Sequence, residues 1–158
     1  MVSGKDLHEA CCGLMTEVVR GTGSAKVRVT GLSMLPSILP GDVLSVRRRT
    51  ENEFTPGQIV VFGRDGRLTA HRIIQISGEY LITRGDCVPG CDLPVRLGDV
   101  VGRVEEITRD GRPVDPRYTI WRRIAASMMR RSERCIRLYL RLAAGARRLA
   151  AAGPTLTD

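Results

Sequence analysis

Val29-Thr30-Gly31-Leu32-Ser33-Met34-Leu35-Pro36-Ser37-Ile38-Leu39-Pro40-Gly41-Asp42 is the stretch on which the reading of this chain turns. Gly31 lets the backbone bend where a side chain would clash. Pro36 and Pro40 stiffen the exit and disfavour a long helix. Ser33 is therefore expected on a short, rigid, exposed connection, with backbone N–H groups close by. That is the setting a nucleophile needs. The competing reading is a proline-rich turn whose serine only caps a helical turn.

Around this stretch the pattern predicts a small body of short strands. Lys26–Thr30 and Asp42–Arg47 alternate as strands should. Gln58–Arg64 reads as a buried strand, and Gly63-Arg64-Asp65-Gly66 turns it into a hairpin partner, Arg67–Ser77. Ser77-Gly78-Glu79 turns into Tyr80–Thr83, and Val100–Thr108 meets the turn Arg109-Asp110-Gly111-Arg112. Before the strands, Asp6–Arg20 has helical spacing, with Leu7, Cys11, Leu14 and Val18 on one face. The expected fold is mainly β: a small, coiled antiparallel β-body over about residues 26–110 with a short N-terminal helix over about 6–20.

Further boxes follow the serine stretch in order: Pro56-Gly57-Gln58-Ile59-Val60-Val61-Phe62, Ala70-His71-Arg72-Ile73-Ile74, Leu81-Ile82-Thr83-Arg84-Gly85-Asp86, Asp92, and Asp99-Val100-Val101-Gly102-Arg103-Val104. As an ordered set over about residues 27–107 they resemble the type I signal peptidase superfamily, which also holds the LexA-type self-cleaving repressors. The His-Arg-Ile-Ile element is similar to the archaeal and endoplasmic-reticulum branch, which uses Ser-His-Asp where most bacterial enzymes use Ser-Lys. The resemblance implies a β-body of signal peptidase type and a serine endopeptidase that forms an acyl-enzyme. It also implies signal peptide processing, with small residues preferred before the cleaved bond.

A serine nucleophile needs a base, and the chain offers only His8, His71, Lys5 and Lys26. Neither lysine occupies a lysine-base box, and His8 falls in the N-terminal helix. His71 stands where the family's base stands, and an imidazole titrates near neutrality. Asp86 and Asp92 are the candidate acids. The resemblance favours Asp92 as the residue that orients the imidazole, with Asp86 as a supporting or alternative acid. Either could instead be a turn-forming aspartate. The oxyanion hole is expected to include the Ser33 backbone N–H. Gly31 occupies the place where many bacterial relatives carry a second donor, so that donor is unknown. No metal or cofactor is expected, and the partner is a peptide or protein. The alternatives are a non-catalytic peptide-binding module on the same fold and a self-cleaving LexA-like regulator.

The net charge of +8 is unevenly placed. Residues 1–119 hold 16 Lys/Arg and 15 Asp/Glu, whereas residues 120–158 hold nine Arg against Glu133 and Asp158. From Tyr118 the periodicity becomes helical. Trp121, Ile124, Met128, Cys135, Leu138, Leu142 and Leu149 form a stripe among arginines, with Pro116 before it and Gly153-Pro154 after it. The expected organisation is a peptidase domain over residues 1–117 and a basic amphipathic helical tail over 118–158. That tail either docks on the β-body or meets an anionic membrane peripherally. Nucleic acid is not expected, since aromatic residues for base stacking are scarce.

No uncharged apolar run reaches the roughly 20 residues of a membrane span, and Met1-Val2-Ser3-Gly4-Lys5-Asp6 does not open a signal peptide. The expectation is a cytoplasmic protein, free or peripheral on the inner membrane face. Five cysteines suit that compartment. Cys11 and Cys12 read as small core residues, and Cys135 lies in the tail. Cys87 and Cys91 bracket Val88-Pro89-Gly90, as inert thiols or as a regulatory disulfide.

Overall fold

The computed structural model describes residues 4–115 and 119–151. Helix α1 (Gly4–Thr22) leads into β1 (Ser24–Arg28) and β2 (Val43–Arg47). The hairpin β3 (Ile59–Arg64) and β4 (Arg67–Ser77) follows, then β5 (Tyr80–Arg84), the two-residue β6 (Val95–Arg96), β7 (Val100–Arg109) and β8 (Arg112–Val114). Helices α2 (Ile120–Arg131) and α3 (Glu133–Ala151) follow. The strands make one antiparallel sheet in the order β1-β2-β7-β3-β4-β5-β6, with β8 on β7. The mainly β architecture is as expected; β6 and β8 are too short to leave a periodic signal.

Local chemistry explains the turns. Asp65 and Gly66 (φ 49° and 70°) close β3–β4, and Asp110 and Gly111 (φ 49° and 77°) close β7–β8. Both Asp-Gly pairs have two left-handed residues, the condition that matches a tight hairpin to strand twist. The long-range step is the insertion of β7 between β2 and β3. At Gly102 a Cβ would lie 2.6 Å from the Arg47 carbonyl oxygen, so only glycine lets the two backbones come this close. Register shifts at Ser45/Val46, Val61/Phe62 and Ile73/Gln75 bend the sheet so that it coils.

Strand β3 is buried on both faces. Ile59 and Val61 join Val19, Leu44, Val46, Val104 and Ile107 in one cluster. Val60 and Phe62 join Phe54, Ile73, Leu81 and Val95 in another. Period-two alternation thus serves two cores from one strand.

Two expectations about helices are corrected. The packed face of α1 is not that of Leu14 and Val18, which are exposed. Val19 is fully buried, with Cys12, Met15 and Thr16 part-buried. The exit sets this rotation: the Gly23 N–H (φ 79°) bonds to the Val19 carbonyl, turning the last helical turn onto the sheet before β1 begins. The tail, read as one helix, is two, separated at Ser132 in extended backbone (φ −152°, ψ 119°). Its packed side is Ala125, Met129, Cys135, Ile136, Tyr139, Leu140 and Ala143, against Leu35, Leu39 and Cys87. The predicted stripe residues Trp121, Ile124, Met128, Leu138 and Leu142 are exposed instead. Pro116, Tyr118, Gly153 and Pro154, and the side chains of Leu7, His8, Cys11 and Leu149, lie outside the described residues. No helix among the described residues is long and apolar enough to cross a membrane.

The serine stretch is a closed loop between β1 and β2. Val29 and Asp42 bond across its base, and the Gly41 N–H (φ 91°) donates to the Val29 carbonyl. Asp42 is fully buried. Its carboxylate accepts the Leu39 N–H at 2.8 Å and a two-pronged grip from Arg109 at 2.8 and 2.9 Å. Arg109 also reaches the Ser37 carbonyl at 3.3 Å. Removing one partner of such a pair leaves a poorly solvated charge, so Asp42→Ala is expected to cost about 3–5 kcal/mol. Urea unfolding followed by circular dichroism measures the loss.

Candidate active site

The loop places Ser33 beside β4. Its Oγ lies 2.9 Å from His71 Nε2, and His71 Nδ1 lies 2.6 Å from Asp92 Oδ2. A carboxylate can only accept, so Nδ1 carries the proton and Nε2 is left to accept from the Ser33 hydroxyl. His71 is buried, and the ring of Phe62 meets it edge-on at 6.2 Å between centroids. On β4, Leu68 and Ala70 pack toward the first cluster while His71 meets Phe62 of the second.

Asp92 is held from several sides. Its N–H donates to the Thr83 carbonyl at 2.8 Å, and the Thr83 hydroxyl donates to Oδ2 at 2.7 Å. The Arg64 guanidinium lies 3.7 Å from Oδ1, donates to the neighbouring Leu93 carbonyl, and sits over the Phe62 ring. Thr83 and Arg64 carry no signal in the sequence that would assign them to a site. One sits within an apolar strand, the other beside a hairpin turn.

Asp86, the second aspartate considered, does not approach the imidazole. It is buried and takes Arg72 Nε and Nη2 at 2.8 Å each, with the Ser37 hydroxyl at 2.5 Å. Arg72 is equally buried and also donates to the Gly57 carbonyl at 2.7 Å. Strand alternation sends the neighbours His71 and Arg72 to opposite sides, one toward Ser33 and one into this ion pair. Lys26 lies on β1, where it pairs with Ser45 of β2.

The 85–87 segment lies directly against Ser33. A Cβ on Gly85 would sit 2.6 Å from the Ser33 carbonyl oxygen and 3.0 Å from Ser33 Cβ. Cys87 donates its N–H to the Ser33 carbonyl at 3.0 Å, and its thiol reaches the Leu32 and Ser33 carbonyls at 3.1 and 3.3 Å. Burial pushes the Cys87 thiol up from its ordinary range, so near neutrality it keeps the proton it donates. Cys87 and Cys91 are both free thiols, the first buried and the second exposed.

A cleft of about 550 Å³ opens beside Ser33, with Val29, Gly31 and Met34 on one side and Leu68, Thr69 and Ala70 on the other. Along Arg67–His71, β4 pairs with β3 alone, since β5 joins it only from Arg72 onward. Unpaired backbone groups therefore run beside the cleft.

Gly85→Ala must displace the Ser33 backbone, and overpacking of this kind typically costs about 1–3 kcal/mol. A lowered urea midpoint, with His71 side-chain NMR signals shifted from those of the wild type, is the expected result. Because the thiolate is the reactive form, Cys91 is expected to alkylate much faster than Cys87 in the folded protein at neutral pH. Peptide mapping after timed exposure to iodoacetamide reads the two rates.

No curated protein matches the chain. Residues 6–83 match the family model described as Peptidase S24-like. That span includes Ser33 and His71 and ends at Thr83, before Asp86 and Asp92. With the antiparallel β architecture around it, this match identifies residues 6–83 as a Peptidase S24-like domain of the LexA and signal peptidase-like serine peptidase superfamily.

Proposed function

We propose that the chain is a serine endopeptidase of the Ser-His-Asp kind, resembling signal peptidases, and that it cleaves an extended peptide through an acyl-enzyme. The hydrogen-bonded chain Ser33–His71–Asp92, at 2.9 and 2.6 Å on the rim of an open cleft, carries this reading. The free edge of β4 supports an extended substrate, which would add to the sheet as a further strand.

Each residue then has a defined role. Ser33 Oγ attacks the scissile carbonyl carbon while His71 Nε2 takes the hydroxyl proton. The Ser33 backbone N–H is the first donor to the resulting oxyanion. His71 returns the proton to the leaving amine, the C–N bond breaks, and the acyl group stays on Ser33. Water, deprotonated by His71, attacks the ester and releases the acid and the free serine. Asp92 holds the imidazole in the tautomer that leaves Nε2 open and offsets the positive charge formed on it. Thr83 and Arg64 hold Asp92 in turn.

Incubating the protein with a proteome-derived peptide library and reading new termini by mass spectrometry tests the proposal. Ser33→Ala and His71→Ala are each expected to abolish cleavage, and the double variant to be no worse, because the pair acts as a unit. Asp92→Asn should lower turnover by about 10⁴-fold, as loss of the orienting acid does in such triads. Wild-type turnover in His71→Ala overturns the base assignment. Cleavage of the protein's own chain, dependent on Ser33, would replace the endopeptidase reading with a self-cleaving regulator. Peptide capture without any new termini would replace it with a binding module.

A further inference from the structure

Helices α2 and α3 have two apolar faces, and the core accounts for only one of them. The inner face grips the catalytic loops. Met129 is buried with Leu35, Leu39 and Cys87, Arg130 donates to the Asp86 carbonyl at 2.9 Å, and the Tyr139 hydroxyl reaches the Pro36 carbonyl at 3.4 Å. The outer face carries Ile120, Trp121, Ile124 and Met128 on α2 and Leu138 and Leu142 on α3, all exposed. Their spacing of three and four residues makes a stripe along each helix. Both helices turn their inner faces to the same patch of the body, and on each helix the exposed stripe runs beside that inner face.

The charge around these stripes selects the occupant. Residues 119–151 hold nine arginines and one acid, Glu133, which is paired with Arg137. Two such surfaces would repel each other, which disfavours a second copy. An anionic surface gains from the exposed arginines, Arg123, Arg131, Arg134, Arg137 and Arg141. The single tryptophan of the chain is 76 % exposed and stands in the outer stripe. An indole with an apolar body and one N–H donor suits the boundary between acyl chains and water.

We propose that the outer faces of α2 and α3 dock on an anionic lipid bilayer, with the apolar stripes entering the interface and the arginines meeting lipid phosphates. Because the inner faces of the same helices hold Leu35, Pro36 and Asp86, docking fixes the Ser33 loop beside the membrane surface. This proposal does not depend on the peptidase reading.

Trp121 reports the event directly. The intact protein is mixed with phosphatidylcholine vesicles, with and without phosphatidylglycerol, at low and at raised salt. A blue shift of Trp121 emission, and quenching by acyl-brominated lipid, are expected only with the anionic vesicles, and both should weaken as salt rises. Arg134→Gln combined with Arg141→Gln should weaken binding by about thirtyfold, from about 1 kcal/mol per arginine. Leu138→Ser with Leu142→Ser should lose the blue shift while keeping the wild-type circular dichroism spectrum and Tm. Ser33→Ala should bind as the wild type does, which separates this test from the catalytic one. Unchanged Trp121 emission with anionic vesicles at low salt overturns the proposal. So does equal binding to both vesicle types, which would be apolar adhesion alone. Light scattering that shows a dimer with Trp121 shielded would overturn it in favour of a second copy.

Discussion

The ion pair between Arg72 and Asp86, closed by the Ser37 hydroxyl, is the constraint on which the geometry of the candidate site depends. All three side chains are buried. Such a pair adds little net stability over an apolar replacement, but removing one partner strands a charge away from water. Its value lies in what it joins. Arg72 follows His71 on β4, Ser37 belongs to the loop that carries Ser33, and Asp86 belongs to the segment that continues to Asp92. Three stretches distant in sequence are tied at one buried point, and Ser33, His71 and Asp92 each lie within a few residues of it. A network of this kind is sound only when every member is satisfied, so separating any one of the three segments would leave a buried polar group without its partner.

Close packing then refines the arrangement. Gly85 lets the acid-bearing segment lie against the Ser33 backbone, where a methyl group would not fit. Cys87 takes up the Ser33 carbonyl with its N–H and its thiol. Asp42 and Arg109 pin the other end of the same loop to β7. The serine is thus fixed by backbone contacts on both sides, and its hydroxyl is left to the imidazole.

The helices at the end of the chain belong to this arrangement as much as the strands do. Arg130 and Tyr139 hold carbonyls of the acid segment and the serine loop. An apolar period alone does not say which side of a two-sided helix will be buried. The body offers a small patch, Leu35, Leu39 and Cys87, and the side with Met129, Ile136, Tyr139 and Leu140 covers it. Trp121, Ile124 and Met128 are left outside.

Much of the fold was legible in the residue order. Alternation marked β1 and β2, a continuous apolar run marked β3, and turn residues marked the hairpin into β4, the start of β5 and the end of β7, because strand pattern and left-handed turn residues are local properties. The serine loop was legible too, from Gly31, Pro36, Pro40, Gly41 and Asp42, and the resemblance drew attention to Ser33 and His71, favouring Asp92 over Asp86. Contacts between distant segments were not legible. Nothing local distinguishes Asp86 from Asp92, since both are turn aspartates, and only the folded chain takes one to Arg72 and the other to His71. Thr83 and Arg64 likewise gain their place beside Asp92 from pairing across the sheet. The rotation of α1 and the break at Ser132 follow from the surface each helix meets. The sequence by itself determined which segments become strands and turns, because those preferences reside in single residues and their neighbours. Tertiary structure alone decided which polar groups meet, because burial leaves each charge only the partners that packing brings within reach.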